Sequence, residues 1–150
     1  MRRAWFTGAF LGLAFFLFSM AGAFAQQGGD AILGKWLTAG GKSVVEIYKC
    51  DDAYCGKIVW LKEPLDKDGK EKLDTKNPDE SKRNRKIVGL QILSGFKYKG
   101  ENKWEGGKIY DPEKGKTYKC KAKLEGDNLK IRGYIGFSLI GRTTTWTRKK

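Results

Sequence analysis

Three cysteines, one strand-borne glutamate and scattered aspartates carry most of the candidate side-chain chemistry of this 150-residue chain, which contains no histidine. Without imidazole there is no Ser-His-Asp or Cys-His nucleophile pair, no His metal ligand and no histidine pH switch. Cys50 and Cys55 bracket Asp51-Asp52-Ala53-Tyr54. A short turn between two strands brings sulfurs at that spacing together, and an oxidising compartment joins them, so a disulfide is expected. A lone C-x4-C lacks the further ligands that a metal site needs. Cys120 falls on the apolar side of an alternating run and reads as a small buried hydrophobe with no base to activate it.

Acid–base chemistry calls for two cooperating carboxylates. Glu46, alone within Val44-Val45-Glu46-Ile47-Tyr48, is the first candidate. It shares a strand face with Val44 and Tyr48, and no second carboxylate pairs with it from sequence. Asp111 precedes Pro112 in a turn, where an aspartate commonly bonds its own backbone. Ser94 and Ser138 lack a nucleophile context. Asp66-Lys67-Asp68-Gly69 has part of a calcium-loop pattern, but Pro64 and Thr75 would take the first and twelfth ligand positions, so a plain turn is expected. Gly106-Gly107 has no strand–loop–helix setting for phosphate. No catalytic residue, cofactor or metal site is assigned, and the sequence favours a binding protein over an enzyme. A hydrolase built on Glu46 or Asp111 is the enzymatic alternative.

Period-two alternation dominates beyond residue 33. In Thr117–Leu124, Tyr118, Cys120, Ala122 and Leu124 share one face, and Lys119, Lys121 and Lys123 share the other. That is a half-buried antiparallel strand. About eight strands follow from this pattern: 34–39, 43–50, 55–61, 87–96, 103–110, 116–124, 128–136 and 142–148. Glu125-Gly126-Asp127-Asn128 and Asp111-Pro112-Glu113-Lys114-Gly115 read as hairpin turns. Sequential strands with short connections predict an all-β fold, a small antiparallel up-and-down barrel, with a β-sandwich as the alternative. The exception is 62–86, a long polar loop with seven acids and nine bases, the length of a lid or a solvated insertion. Within it, Asn77-Pro78-Asp79-Glu80 predicts one helical turn with Pro78 at its first position.

The N-terminus has a different character. Arg2 and Arg3, an apolar run over 9–18 and small residues at Ala23 and Ala25 describe a signal peptide over 1–25, leaving a single domain over 26–150 that begins at Gln26. Export to periplasm or beyond is expected, where nucleic acid is not a normal partner. The 30 Lys+Arg against 17 Asp+Glu then point to an anionic envelope polymer or membrane surface, or to lysines that keep exposed strands soluble. The sequence carries no signal for oligomeric state.

Gly34-Lys35-Trp36 resembles the Gly-x-Trp opening of calycins, the lipocalin-like barrels. That resemblance implies a tryptophan closing the barrel floor under a basic residue of the last strand, here Arg142 or Arg148. A longer series covers essentially the rest of the chain: Val45-Glu46-Ile47-Tyr48, Cys55-Gly56-Lys57-Ile58-Val59-Trp60-Leu61, Asn77-Pro78-Asp79, Gly89-Leu90 and Ile92-Leu93-Ser94-Gly95-Phe96. It continues with Trp104-Glu105-Gly106-Gly107-Lys108-Ile109-Tyr110-Asp111-Pro112, Gly115-Lys116-Thr117-Tyr118, Leu129-Lys130-Ile131-Arg132-Gly133-Tyr134 and Gly141-Arg142-Thr143-Thr144-Thr145-Trp146. The series resembles the exported bacterial family called domain of unknown function 2147. The resemblance implies a small exported β-domain and brings no catalytic residues with it. Cys120 is outside the family pattern.

An eight-stranded barrel either fills with side chains or holds one small ligand. The expected function is therefore an envelope binding module for an apolar or amphipathic ligand, with Trp36, Trp60, Trp104, Tyr110, Tyr118 and Trp146 as candidate lining. The second reading is a basic-surface protein for anionic glycan or lipid headgroups.

Overall fold

The structure, a computed structural model, describes residues 28–150. The expected signal peptide and the Gln26 terminus lie outside the described residues. Eight strands run in order: β1 (Gly34–Leu37), β2 (Ser43–Cys50), β3 (Ala53–Leu61), β4 (Gln91–Gly100), β5 (Lys103–Asp111), β6 (Lys116–Glu125), β7 (Asn128–Tyr134) and β8 (Gly141–Arg148). Each pairs antiparallel with the next, and β8 returns to β1, closing the sheet into an up-and-down barrel. The sandwich alternative is excluded. Closure removes the sheet edges that would otherwise template aggregation.

Alternation sets the inside. On β6, Cys120 and Ala122 are buried, facing Gly107 and Trp104 on β5 and Gly133 and Ile131 on β7. The intervening lysines pair outward: Lys123 lies between Lys103 and Lys130, and Lys121 beside Arg132. A wall of outward lysines is the reverse of the apolar band of a membrane-spanning barrel. Large inward side chains fit because some opposing positions are glycine. A Cβ on Gly107 would stand 2.6 Å from the Phe96 ring, so glycine there lets Phe96 occupy the interior.

Several strand ends shift by about two residues, with β1 ending at Leu37, β3 starting at Ala53 and β7 ending at Tyr134, and the largest departure is at β4. β4 begins at Gln91, not at residue 87, and runs on to Gly100. Gly89 has φ of 94°, a conformation that breaks the apolar run Ile87-Val88 out of extended structure. Ile87 and Leu90 are buried all the same. The strand continues past residue 96 because the following hairpin turn is Glu101-Asn102, both at positive φ, the geometry that matches strand twist. The helical turn in the long loop is present as a 3₁₀ turn over Glu80–Lys82, with Asp79 as its cap and Pro78 before the cap. The backbone amide of Ser81 donates to the Asp79 carboxylate at 3.0 Å.

In an up-and-down barrel, alternate connections emerge at the same end. The β1–β2, β3–β4, β5–β6 and β7–β8 connections define the long-loop end. The other end is the floor.

Candidate functional site

The floor is built from tryptophans and a basic residue. Segment 28–33 crosses beneath the strands, and its carbonyls collect donors. The Trp36 indole N–H donates to Ile32 O (2.9 Å) and the Trp104 indole N–H to Gly29 O (3.2 Å). Arg148 donates to Leu33 O (3.0 Å) and Ala31 O (2.7 Å), and its guanidinium lies 4.2 Å from the Trp36 ring centroid. Of the two expected basic partners, Arg148 is the one in place. Arg142 opens β8 at the opposite end, in register with Gly133 and exposed. The Tyr54 hydroxyl completes the floor by donating to Asp30 (2.7 Å), whose carboxylate also pairs with Lys49 (3.0 Å). These two donors hold Asp30 below the usual carboxylate range. Burial and the neighbouring carboxylate push the Tyr54 phenol up.

The six aromatic candidates do not converge on one cavity. Trp36, Trp104 and Trp146 are buried and near the floor. Trp60 lies exposed toward the end of β3, with the Lys149 ammonium 5.9 Å from its ring. Tyr110 and Tyr118 are half-buried at the long-loop end. The space left among Ile32, Ile47, Tyr54, Leu93, Phe96 and Ile131 inside the barrel admits no water molecule. An open cleft of about 390 Å³ beside the β2–β3 hairpin is lined by Lys49, Asp51, Asp52, Tyr54, Lys97 and Tyr98. Lys97 pairs with Asp52 at 3.2 Å and Lys49 with Asp30, and Lys99 also lines the cleft.

The carboxylates proposed for acid–base work are placed apart. Glu46 is on the outer face, in register with Lys35 and Lys57, and its closest cation is the Lys57 ammonium at 3.8 Å. Val44 alternates onto the same β2 face as Glu46 but is buried, so that face is not wet throughout; the register shift at Val44/Val45 places its extra residue, Val59, on β3. Asp111 accepts the Glu113 amide at 3.0 Å, fixing its own turn. Asp66 accepts the amides of Asp68 (2.9 Å) and Lys70 (3.0 Å), which makes Asp66–Gly69 a plain turn. Cys50 and Cys55 are joined in a disulfide across the β2–β3 hairpin. Cys120 is a buried free thiol, and burial pushes it up to about 12.

The long loop is a folded flap organised by one residue that sequence reading passed over. The Asp74 carboxylate is fully buried. It accepts from the Tyr110 hydroxyl (2.6 Å), the Asn77 amide (2.8 Å) and Arg85 (3.0 Å). Burial opposes its charge, but these three donors prevail and hold the carboxyl below its ordinary value. Burial and the Asp74 bond push Tyr110 up to about 12. The flap also presses on the β5–β6 turn, where a Cβ on Gly115 would collide with the Lys76 carbonyl. Its last residues return to the barrel through Ile58 N–H to Leu90 O (3.0 Å) and Gly89 N–H to Ile58 O. Nothing local pairs Asp74 with Tyr110, and a run of alternating charges hides the one carboxylate that is buried.

Opposite the flap, the β7–β8 connection displays Ile135, Phe137, Leu139 and Ile140, exposed by 68, 78, 91 and 70%. Leu65, Leu73 and Val88 are exposed on the flap. The large apolar side chains most exposed to water thus gather at one end of the barrel.

A closed eight-stranded antiparallel barrel with a Trp–Arg floor is lipocalin-like, an architecture suited to ligand binding. The chain belongs to the family described as an uncharacterized protein conserved in bacteria (DUF2147), whose model matches residues 34–148. It is similar to a solved structure described as protein HP1028 from the human pathogen Helicobacter pylori, which belongs to the lipocalin family. That likeness has 27% identity and a TM-score of 0.68, over 79% of this chain and 83% of that one. No curated protein matches the chain.

Proposed function

We propose that this protein is an exported binding module for an amphipathic ligand, held at the long-loop end and not deep inside. The observation that carries the reading is the contrast between an inner space among Ile32, Leu93, Phe96 and Ile131 too small for water and an end that exposes seven large apolar side chains. Transfer of apolar surface from water is worth about 25 cal/mol per Å², so those side chains are the favourable contact for an acyl or ring system. Arg142 shares a strand face with Thr144 and buried Trp146, which puts a guanidinium at the rim for an anionic head. Export is supported by the leader pattern over 1–25, which predicts a mature terminus at Gln26, and by the Cys50–Cys55 bridge, a bond favoured outside the cytosol.

A fluorescent fatty acid titrated into vesicle-free protein tests the ligand reading. Saturable binding that weakens in Arg142→Ala, with lipid seen on the protein in native mass spectra, supports it. No saturable uptake defeats it. N-terminal sequencing of exported material tests the leader, and a chain still starting at Met1 would replace the cleaved signal peptide with an uncleaved membrane anchor.

A further inference from the structure

We infer that the β7–β8 connection is a membrane-docking loop that seats its apolar side chains in the headgroup boundary of an anionic phospholipid bilayer. Four large apolar residues within six positions are held in water by a built support. The Arg132 guanidinium donates to Ser138 O (2.7 Å) and Leu139 O (3.2 Å), and also to the Thr143 hydroxyl (2.9 Å). Ile140 N–H closes a tight turn onto Phe137 O at 3.0 Å. Gly136 supplies a positive φ of 70°. A loop wired to its own barrel in this way presents Phe137 and Leu139 outward instead of folding them back. Contiguous exposed apolar side chains of this kind mark an interaction site.

Charge decides the occupant. The wall beneath the loop is β6, β7 and β8, which carry Lys116, Lys119, Lys121, Lys123, Lys130, Arg132, Arg142 and Arg148 against one acid, Glu125. Glu125 sits at the floor end of β6, where it pairs with Lys123 (3.4 Å) and Lys130 (3.0 Å). The half nearest the loop carries Lys116, Lys119 and Arg142, with Asp111 at the end of β5 in register with Lys116 as the neighbouring acid, and so keeps a net positive charge. An apolar tip over a basic collar is the arrangement that binds anionic bilayers, the tip entering the acyl boundary and the collar meeting the headgroups. The inference stands apart from whether a free ligand is carried.

The test is co-sedimentation with vesicles of equal phosphatidylethanolamine and phosphatidylglycerol, beside vesicles of phosphatidylcholine alone. The parent should bind the anionic vesicles and bind the neutral ones less. Phe137→Ser and Leu139→Ser should each weaken anionic binding by roughly ten-fold, from the transfer energy of one large side chain, with unchanged melting. A parent that does not bind overturns the inference. So does binding that salt removes but the two variants do not alter, which is adhesion by lysines alone. A parent that dimerises through this loop without binding vesicles also overturns it, in favour of a second copy. The same variants titrated with fluorescent fatty acid, without vesicles, separate the two readings: docking without uptake defeats the ligand reading alone, and uptake without docking defeats this one alone.

Discussion

Arg148 lies over Trp36 with its guanidinium 4.2 Å from the ring centroid while donating to the carbonyls of Ala31 and Leu33. One side chain thereby ties the last strand, the first strand and the segment crossing the floor. Truncating Trp36 removes a fully buried indole and leaves a cavity, at about 3–5 kcal/mol. Arg148→Ala loses the stacking and two charge-assisted bonds, about 2 kcal/mol. Arg142→Ala, at an exposed position, should stay within about half a kcal/mol of the parent. Urea midpoints of the three variants check the ranking. A Trp36→Ala protein as stable as the parent would unseat the floor.

The cysteines give a chemical readout. Non-reducing peptide maps should show Cys50 bound to Cys55 and Cys120 unmodified. A thiol raised to about 12 by burial offers almost no thiolate at neutral pH, so iodoacetamide should reach Cys120 only as the protein unfolds. Rapid alkylation of the native protein would contradict its placement inside the barrel.

Asp74 should be the keystone of the flap. Asp74→Ala leaves the Tyr110 hydroxyl, the Asn77 amide and Arg85 without their shared acceptor, a loss of about 1.5–3 kcal/mol. Tyr110→Phe removes one of the three bonds and should cost less. The flap is rich in lysine and arginine, so trypsin reports its release: early cuts within 62–86 are expected for Asp74→Ala and not for the parent. Identical digestion patterns would show that other contacts hold the flap.

Acid and alkali should weaken the protein by opposite routes. Asp30, Asp74, Asp79 and Glu125 are all held below their ordinary values. The unfolded chain therefore takes up protons first as pH falls, and stability is lost from about pH 4 downward. Tyr110 and Cys120 are raised to about 12, so above about pH 9 the unfolded chain releases protons first and stability falls as pH rises. Thermal melts across pH should give a plateau between these limits. Asp74→Asn should flatten the acid side, and an unchanged acid limb would show that other carboxylates carry it.

Much of this was legible from residue order. Lys119, Lys121 and Lys123 alternating with Cys120 and Ala122 define a half-buried strand wherever they occur, and the bridged cysteines marked the β2–β3 turn, although the strand starts at Ala53, two residues before the expected 55. Gly34-Lys35-Trp36 pointed to the floor but could not choose between Arg142 and Arg148. Both are on β8, and only the register with β1 brings Arg148 to Trp36. The start of β4 was misplaced because Ile87-Val88 has the right residue types for a strand, and the bend at Gly89 is a backbone property. Asp74 was hidden for a different reason. Its partner Tyr110 is on β5, and the pairing exists only once the loop has folded over.

The closure of the barrel has a consequence for how the molecule assembles. β7 and β8 share seven residue pairs, whereas β1 and β8 meet at two, Trp36 with Arg148 and Leu37 with Thr147. Every other pairing joins strands consecutive in sequence, through short connections except for β3 and β4, which close the 62–90 loop. The β1–β8 joint alone must bring distant ends of the chain together, so the entropy of ring closure falls on it. It should therefore act as the latch, the last contact made and the first released. Amide exchange should therefore begin in β1 while the β5–β6 ladder is still protected, and a partly opened molecule would be an unrolled sheet with its central hairpins intact.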